Sequence, residues 1–174
     1  MMRQLTIILL SVVIVLTACA GSQPVPFSIL TQGGLFRSGS FEGANQPDLW
    51  VIESSTDIEP ALQSAAGNPP NLASPEHSRA DLQQVDYTEY IAVLIVAGKS
   101  SETTSANITG VQRNGNRVTI DLDISVSQAG PAFVRDPYYI LALPRTAVSG
   151  QAVQFDLVSG RFNSTVASKT IAVP

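Results

Sequence analysis

The chain has 174 residues and a mass of 18.4 kDa, which is enough for one domain. Charged residues make up 14% of it and the net charge is −4, which excludes a disordered polyelectrolyte, a coiled coil and a nucleic-acid protein that works through clustered Lys and Arg. One Cys excludes a disulfide framework, and one His removes most metal sites and most imidazole catalysis.

The N-terminus carries Arg3, then an apolar run from Leu5 to Ala18. Those 14 residues are too few to cross a bilayer, which takes about 20. A basic start, a short apolar core and small residues before a cut predict a secretory signal peptide over 1–18. Leu16-Thr17-Ala18-Cys19 resembles the bacterial lipobox, in which the Cys is lipidated and becomes the first mature residue. The one Cys of the chain stands where that motif needs it. Lipidation of Cys19 would anchor the protein to a membrane, facing away from the cytoplasm. Removal of Arg3 takes the net charge from −4 to −5. Residues 19–26 then read as a tether, kept extended by Pro24 and Pro26, and 27–174 as a single β-rich domain.

In chain order, a first strand is predicted over 27–30, a turn at Gly33-Gly34, a second strand over 35–38 and a third over 49–53. Thr56-Asp57-Ile58-Glu59 has the form of a capping box, and Ile58, Leu62 and Ala65 share one helical face, so one short helix is predicted over 56–66. Residues 67–80 hold Pro69, Pro70 and Pro75 and read as a long irregular connection.

Residues 90–98, YIAVLIVAG, lack any alternation and predict a strand buried on both faces. Asn114-Gly115 predicts a hairpin turn between strands over 107–112 and 118–126. In the second of these, Val118, Ile120, Leu122, Ile124 and Val126 should face the core, with Thr119, Asp121, Asp123 and Ser125 facing outward. Further strands are expected over 138–143, 153–158 and 165–173. The class that follows is mainly β, an antiparallel sheet or sandwich of about eight strands with one short helix.

Residues that could carry chemistry are sparse. His77 is the one imidazole, and no nucleophile elbow precedes a helix. Asp121 and Asp123 share a strand face, as paired acids of a glycoside hydrolase or a Ca²⁺ site would, or simply as a solvent face. No glycine loop for nucleotide phosphates is present, so no cofactor is expected. Arg135, Arg145 and Arg161 are dispersed.

Two stretches carry a family resemblance. Val85-Asp86-Tyr87 leads into Ile91-Ala92-Val93-Leu94-Ile95-Val96-Ala97-Gly98-Lys99, and Asp136-Pro137-Tyr138-Tyr139-Ile140-Leu141-Ala142-Leu143-Pro144-Arg145 follows about 40 residues later. Together they resemble the PrcB C-terminal domain family. Where that family commonly has a Gly-Gly-Tyr turn after its Gly-Lys pair, this chain has Ser100-Ser101-Glu102-Thr103-Thr104-Ser105. The resemblance implies an accessory lipoprotein like one that stabilises a surface subtilisin-like protease complex. The expected function is thus non-catalytic binding or stabilisation of another envelope protein. The alternative is a hydrolase of cell-wall or extracellular polymer, which would have to use Asp121, Asp123 and His77.

Overall fold

The computed structural model describes residues 21–35, 47–66, 75–97, 103–127, 136–160 and 164–174. The segment read as a signal peptide, Cys19 and the Ser100-Ser101-Glu102 stretch lie outside the described residues.

Nine strands are seen among the described residues: β1 (Gln23–Pro24), β2 (Ser28–Leu35), β3 (Asp48–Ile52), β4 (Tyr90–Val96), β5 (Thr103–Asn114), β6 (Arg117–Ser127), β7 (Asp136–Pro144), β8 (Gly150–Ser159) and β9 (Ser164–Val173). They form a five-stranded sheet in the order β1-β5-β6-β8-β9 and a four-stranded sheet in the order β2-β7-β4-β3. The two sheets pack as a β sandwich, with β3 and β9 close together along one side. Helices α1 (Ile58–Ala66) and α2 (Pro75–Gln83) cover the far face of the four-stranded sheet, and a four-residue helix, α3 (Arg145–Val148), follows β7.

This layering explains the unbroken apolar run of β4. Ile91, Val93 and Ile95 point between the sheets, while Ala92, Leu94 and Val96 point at the helices. Strand β7 divides likewise, with Tyr139, Leu141 and Leu143 on one side and Tyr138 and Ile140 on the other. Strand β6 is covered on one face only. Val118, Ile120 and Leu122 are buried, Ile124 is partly buried, and Asp123 is exposed, as alternation predicts. All pairings are antiparallel except β6 with β8, which is parallel because the intervening β7 belongs to the other sheet.

Several local expectations shift. Gly33-Gly34 is not a turn but part of β2, which runs unbroken along β7 from Ser28 to Leu35. Glycine is needed at 33 because a Cβ there would lie 2.7 Å from Cε1 of Tyr138. The Tyr138 ring is buried, and its hydroxyl accepts a hydrogen bond of 3.0 Å from Ser78 on α2. Gly33→Ala is therefore expected to cost about 1–3 kcal/mol by overpacking, seen as a lower urea midpoint; an unchanged midpoint would mean that the ring moves freely. The segment read as a tether is extended but docked: β1 pairs with β5, and Val25 is buried.

The hairpin turn is displaced by one residue. Asn114 pairs with Arg117, so Gly115-Asn116 forms the loop, with Gly115 at φ 57°. Helix α1 lies within its predicted span and buries Ile58, Ala61, Leu62 and Ala65. Its entry differs, because a 3-10 turn, Ser55–Asp57, precedes it. The Ser54 hydroxyl donates to Asp57 Oδ2 at 2.7 Å, and Glu59 pairs with Arg79 of α2 rather than capping. Pro60 is tolerated because the first amides of a helix have no partner within it. Helix α2 occupies part of the predicted irregular connection. Pro75 begins it, where proline is favoured, and Leu82 and Ser78 are its buried contacts among the described side chains.

Candidate functional site

The residues singled out for chemistry are not brought together. Asp121 and Asp123 lie on the outer face of the five-stranded sheet, whereas His77 belongs to α2, on the far face of the other sheet. Both sheets stand between them. Burial pushes the Asp121 carboxyl up, opposed by a 3.4 Å contact from Gln112 Nε2. Among the described residues no group of three His, Cys, Asp or Glu side chains could hold a metal ion.

The outer face does carry one buried acid that sequence reading missed. Asp156 is 1% exposed. Its Oδ1 accepts from Ser168 at 2.6 Å and from Gln154 at 2.9 Å, and its Oδ2 lies 2.8 Å from Arg117 Nε. Three donors on three strands satisfy it, so it is a structural group. The arginines read as dispersed include another structural group. Arg145 donates to the carbonyls of Glu53 (2.8 Å) and Tyr87 (3.2 Å), while its amide donates to Glu89. It clamps the end of β3 and the turn before β4 to the end of β7. The two stretches that carry the family resemblance are thus neighbours in space, with Tyr90 paired to Pro144.

That clamp shapes an open cleft of about 530 Å³, lined by Ser28, Leu30, Asp81, Gln84, Val85, Asp86, Tyr90 and Ala142. Its wall is built by local chemistry. Asp86 accepts from the Thr88 amide at 2.9 Å and the Thr88 hydroxyl at 2.6 Å. These bonds hold its carboxyl below the usual range, so it is ionised at neutral pH. The Asp86 carbonyl accepts from the Tyr90 amide, which sets Tyr90 at the mouth of the cleft. Thr31 of β2 donates to Asp81 of α2. The register of β2 slips between Ile29 and Thr31, leaving Leu30 without a partner on β7. Ile29, Leu30 and Tyr90 are the exposed large apolar residues of the described surface, at 43%, 37% and 39%. Leu30 and Tyr90 line the cleft, and Ile29 adjoins Leu30 on the other face of β2. No pattern marks them in the sequence, because the slip and the turn that expose them are set by long-range pairing. A second, smaller recess of about 330 Å³ lies between β3, α1 and β9, lined by Trp50, Glu53, Asp57 and Lys169 among others.

Tyr87 packs beneath the turn and donates to the Leu82 carbonyl at 3.1 Å. Burial, with Asp57 nearby, pushes its phenol up to about 12, from an ordinary value of 10.0. The stabilisation is present below pH 10 and is lost as pH rises through about 12, because the unfolded chain ionises first. Tyr139, also pushed up by burial, adds to the same slope. Tyr87→Phe should therefore flatten the fall of stability between pH 10 and 12, read from urea midpoints across that range; an unchanged slope would mean that the phenol is solvated.

The fold and site define a β sandwich with a helical cover and an apolar, acid-rimmed cleft at a sheet edge. Compared with protein-family models, with curated proteins and with solved structures, the chain finds no match.

Proposed function

We propose that this protein is a non-catalytic cell-envelope lipoprotein, anchored through lipid on Cys19, that binds or stabilises another envelope or extracellular protein. The observation that carries this reading is that two of the three exposed large apolar side chains of the described surface, Leu30 and Tyr90, line one cleft and the third, Ile29, adjoins it on the edge strand, since exposed apolar patches mark interaction sites. The resemblance to the PrcB C-terminal domain family supports it and suggests a protease complex as the partner. The hydrogen bond from Arg145 to the Tyr87 carbonyl joins the two stretches that carry that resemblance. No described helix is long and apolar enough to cross a membrane, and attachment is assigned to the lipid.

The docking of β1 gives the anchor a short reach. Three residues separate Cys19 from Gln23, so the start of β1 would stand within about 14 Å of the lipidated residue.

Replacing Cys19 with Ala is expected to release the protein from membranes or stall its processing, read by fractionation and mass spectrometry of the N-terminus. A Cys19→Ala protein that is still cleaved and still membrane-bound would overturn the anchor. The binding reading is tested by purifying the tagged lipoprotein from crosslinked membranes, and recovery of no partner would defeat it.

A further inference from the structure

We propose that the cleft at β2 is a docking site for an extended, basic segment of a partner protein, added as a strand beside β2. The proposal rests on the binding reading above and names its surface and the chemistry of its partner.

Three observations converge on this occupant. First, β2 has a hydrogen-bonded neighbour, β7, on one side only among the described residues, so its other edge offers backbone donors and acceptors. Second, the two faces of the strand end differ. Ile29 pairs with Leu141, which points between the sheets, so Ile29 presents apolar surface on that side. Leu30 and Ser28 line the cleft on the helical side. Third, that cleft is rimmed by Asp81 and Asp86, with the exposed ring of Tyr90 beside them, and among the described residues no Lys or Arg lines it.

A strand lying along β2 alternates its side chains between these two faces. On one face it meets Ile29, and an aliphatic residue there covers apolar surface. On the other it runs beside Leu30 and Asp81, and a long Lys or Arg side chain directed inward across Leu30 points toward Asp86 and toward the Tyr90 ring, which stands beyond β7 on β4. The recognised pattern is therefore an alternation of apolar and basic residues, with main-chain bonds supplying affinity and the cleft supplying selectivity.

A second copy of this chain fits less well. Ser28–Leu35 holds no basic residue, so a pair of β2 strands would bring two sets of carboxylates to one seam with nothing to answer them. Like charges so placed oppose association.

The test uses the full-length lipoprotein in neutral detergent and fluorescein-labelled nine-residue peptides, read by polarisation. An alternating Val/Arg peptide is expected to bind, and an alternating Val/Glu peptide is not. A Val/Arg peptide of the same composition with its arginines in one block should bind more weakly. Gln84→Lys adds a positive charge at the cleft and should weaken the alternating peptide at least about tenfold. Thr170→Lys makes the same change in net charge on exposed β9 and should weaken it less than about twofold. Ile29→Asp, checked for folding by circular dichroism, should also weaken it.

Equal weakening by Gln84→Lys and Thr170→Lys would overturn the site. So would equal binding of the Val/Glu peptide, no binding of any peptide, or a dimer of the free chain abolished by Ile29→Asp. Crosslinked purification separates the two levels. A partner recovered by the wild type and lost with Gln84→Lys supports the site. The same partner recovered by both overturns the site and leaves the binding reading standing. No partner with either overturns both.

Discussion

Ile95→Ala is expected to lower the stability of the domain by about 2–5 kcal/mol, against a total of about 5–15 for a domain of this kind. Ile95 is fully buried near the end of β4, between the two sheets, beside strands β3 and β7 that hold it on both sides. Truncation removes three carbons and leaves a cavity that a strand hydrogen-bonded on both edges cannot close by moving. Asp121→Ala provides the contrast. Asp121 lies on the outer face of β6, and its burial raises rather than lowers its carboxyl, so its charge brings the folded state no benefit at neutral pH. A change of about 0.5 kcal/mol or less is expected there. Urea midpoints of the two variants check the contrast. Equal losses would mean that the faces of β6 are assigned the wrong way round.

The second large effect is expected at Arg117. Its guanidinium stands over a carboxylate, Asp156, whose side chain is 2% exposed, while Arg117 itself is 59% exposed. Removing one partner of a buried pair costs about 3–5 kcal/mol, because the remaining charge stays out of water. Here water screens the arginine side, and Ser168 and Gln154 still donate to the acid. Arg117→Ala should therefore cost about 1–3 kcal/mol. Asp156→Asn added to Arg117→Ala should recover part of that loss, since it removes the uncompensated charge while keeping the shape. A double-mutant cycle by urea denaturation measures this. If Arg117→Ala costs less than about 0.5 kcal/mol, the pair is screened like any surface ion pair.

These two sites differ in how far the sequence announces them. Ile95 lies in a run without alternation, and such a run reports burial on both faces directly. Asp156 lies in Gly150–Ser159, where Gln154, Asp156 and Val158 alternate with Val153, Phe155 and Leu157. In the folded strand that alternation has Asp156 on the outer face. It does not reveal that Arg117, Gln154 and Ser168 close over the acid, since Arg117 and Ser168 come from β6 and β9.

The cleft was less legible still. Leu30 and Ile29 read as ordinary residues of a first strand, and Gly33-Gly34 as its end. In the folded chain the glycines continue the strand by pairing with β7, and at Gly33 the ring of Tyr138, over a hundred residues away, packs where a side chain would be. Helix α2 is hidden for a related reason. PEHSRADLQ has almost no apolar face, and it is held by Leu82 in the helical core, the Ser78 bond to Tyr138 and the Arg79 pair with Glu59. Such a helix depends on its neighbours rather than on its own amphipathicity.

What the sequence determined by itself is the mainly β class, the face assignment of β6, the double burial of β4, the hairpin between β5 and β6 to within one residue, and the place of α1. Each of these follows from a local period or from one residue with special backbone freedom, and short-range sterics and burial suffice to set it. Only the tertiary structure decided that the strands divide into two sheets, that β6 and β8 run parallel, that helices cover one sheet and not the other, and that an edge strand with exposed Ile29 and Leu30 meets Asp81, Asp86 and Tyr90. A local pattern records whether a face is covered, but not by what. The choice of cover depends on hydrogen bonds and apolar contacts between segments far apart in the chain.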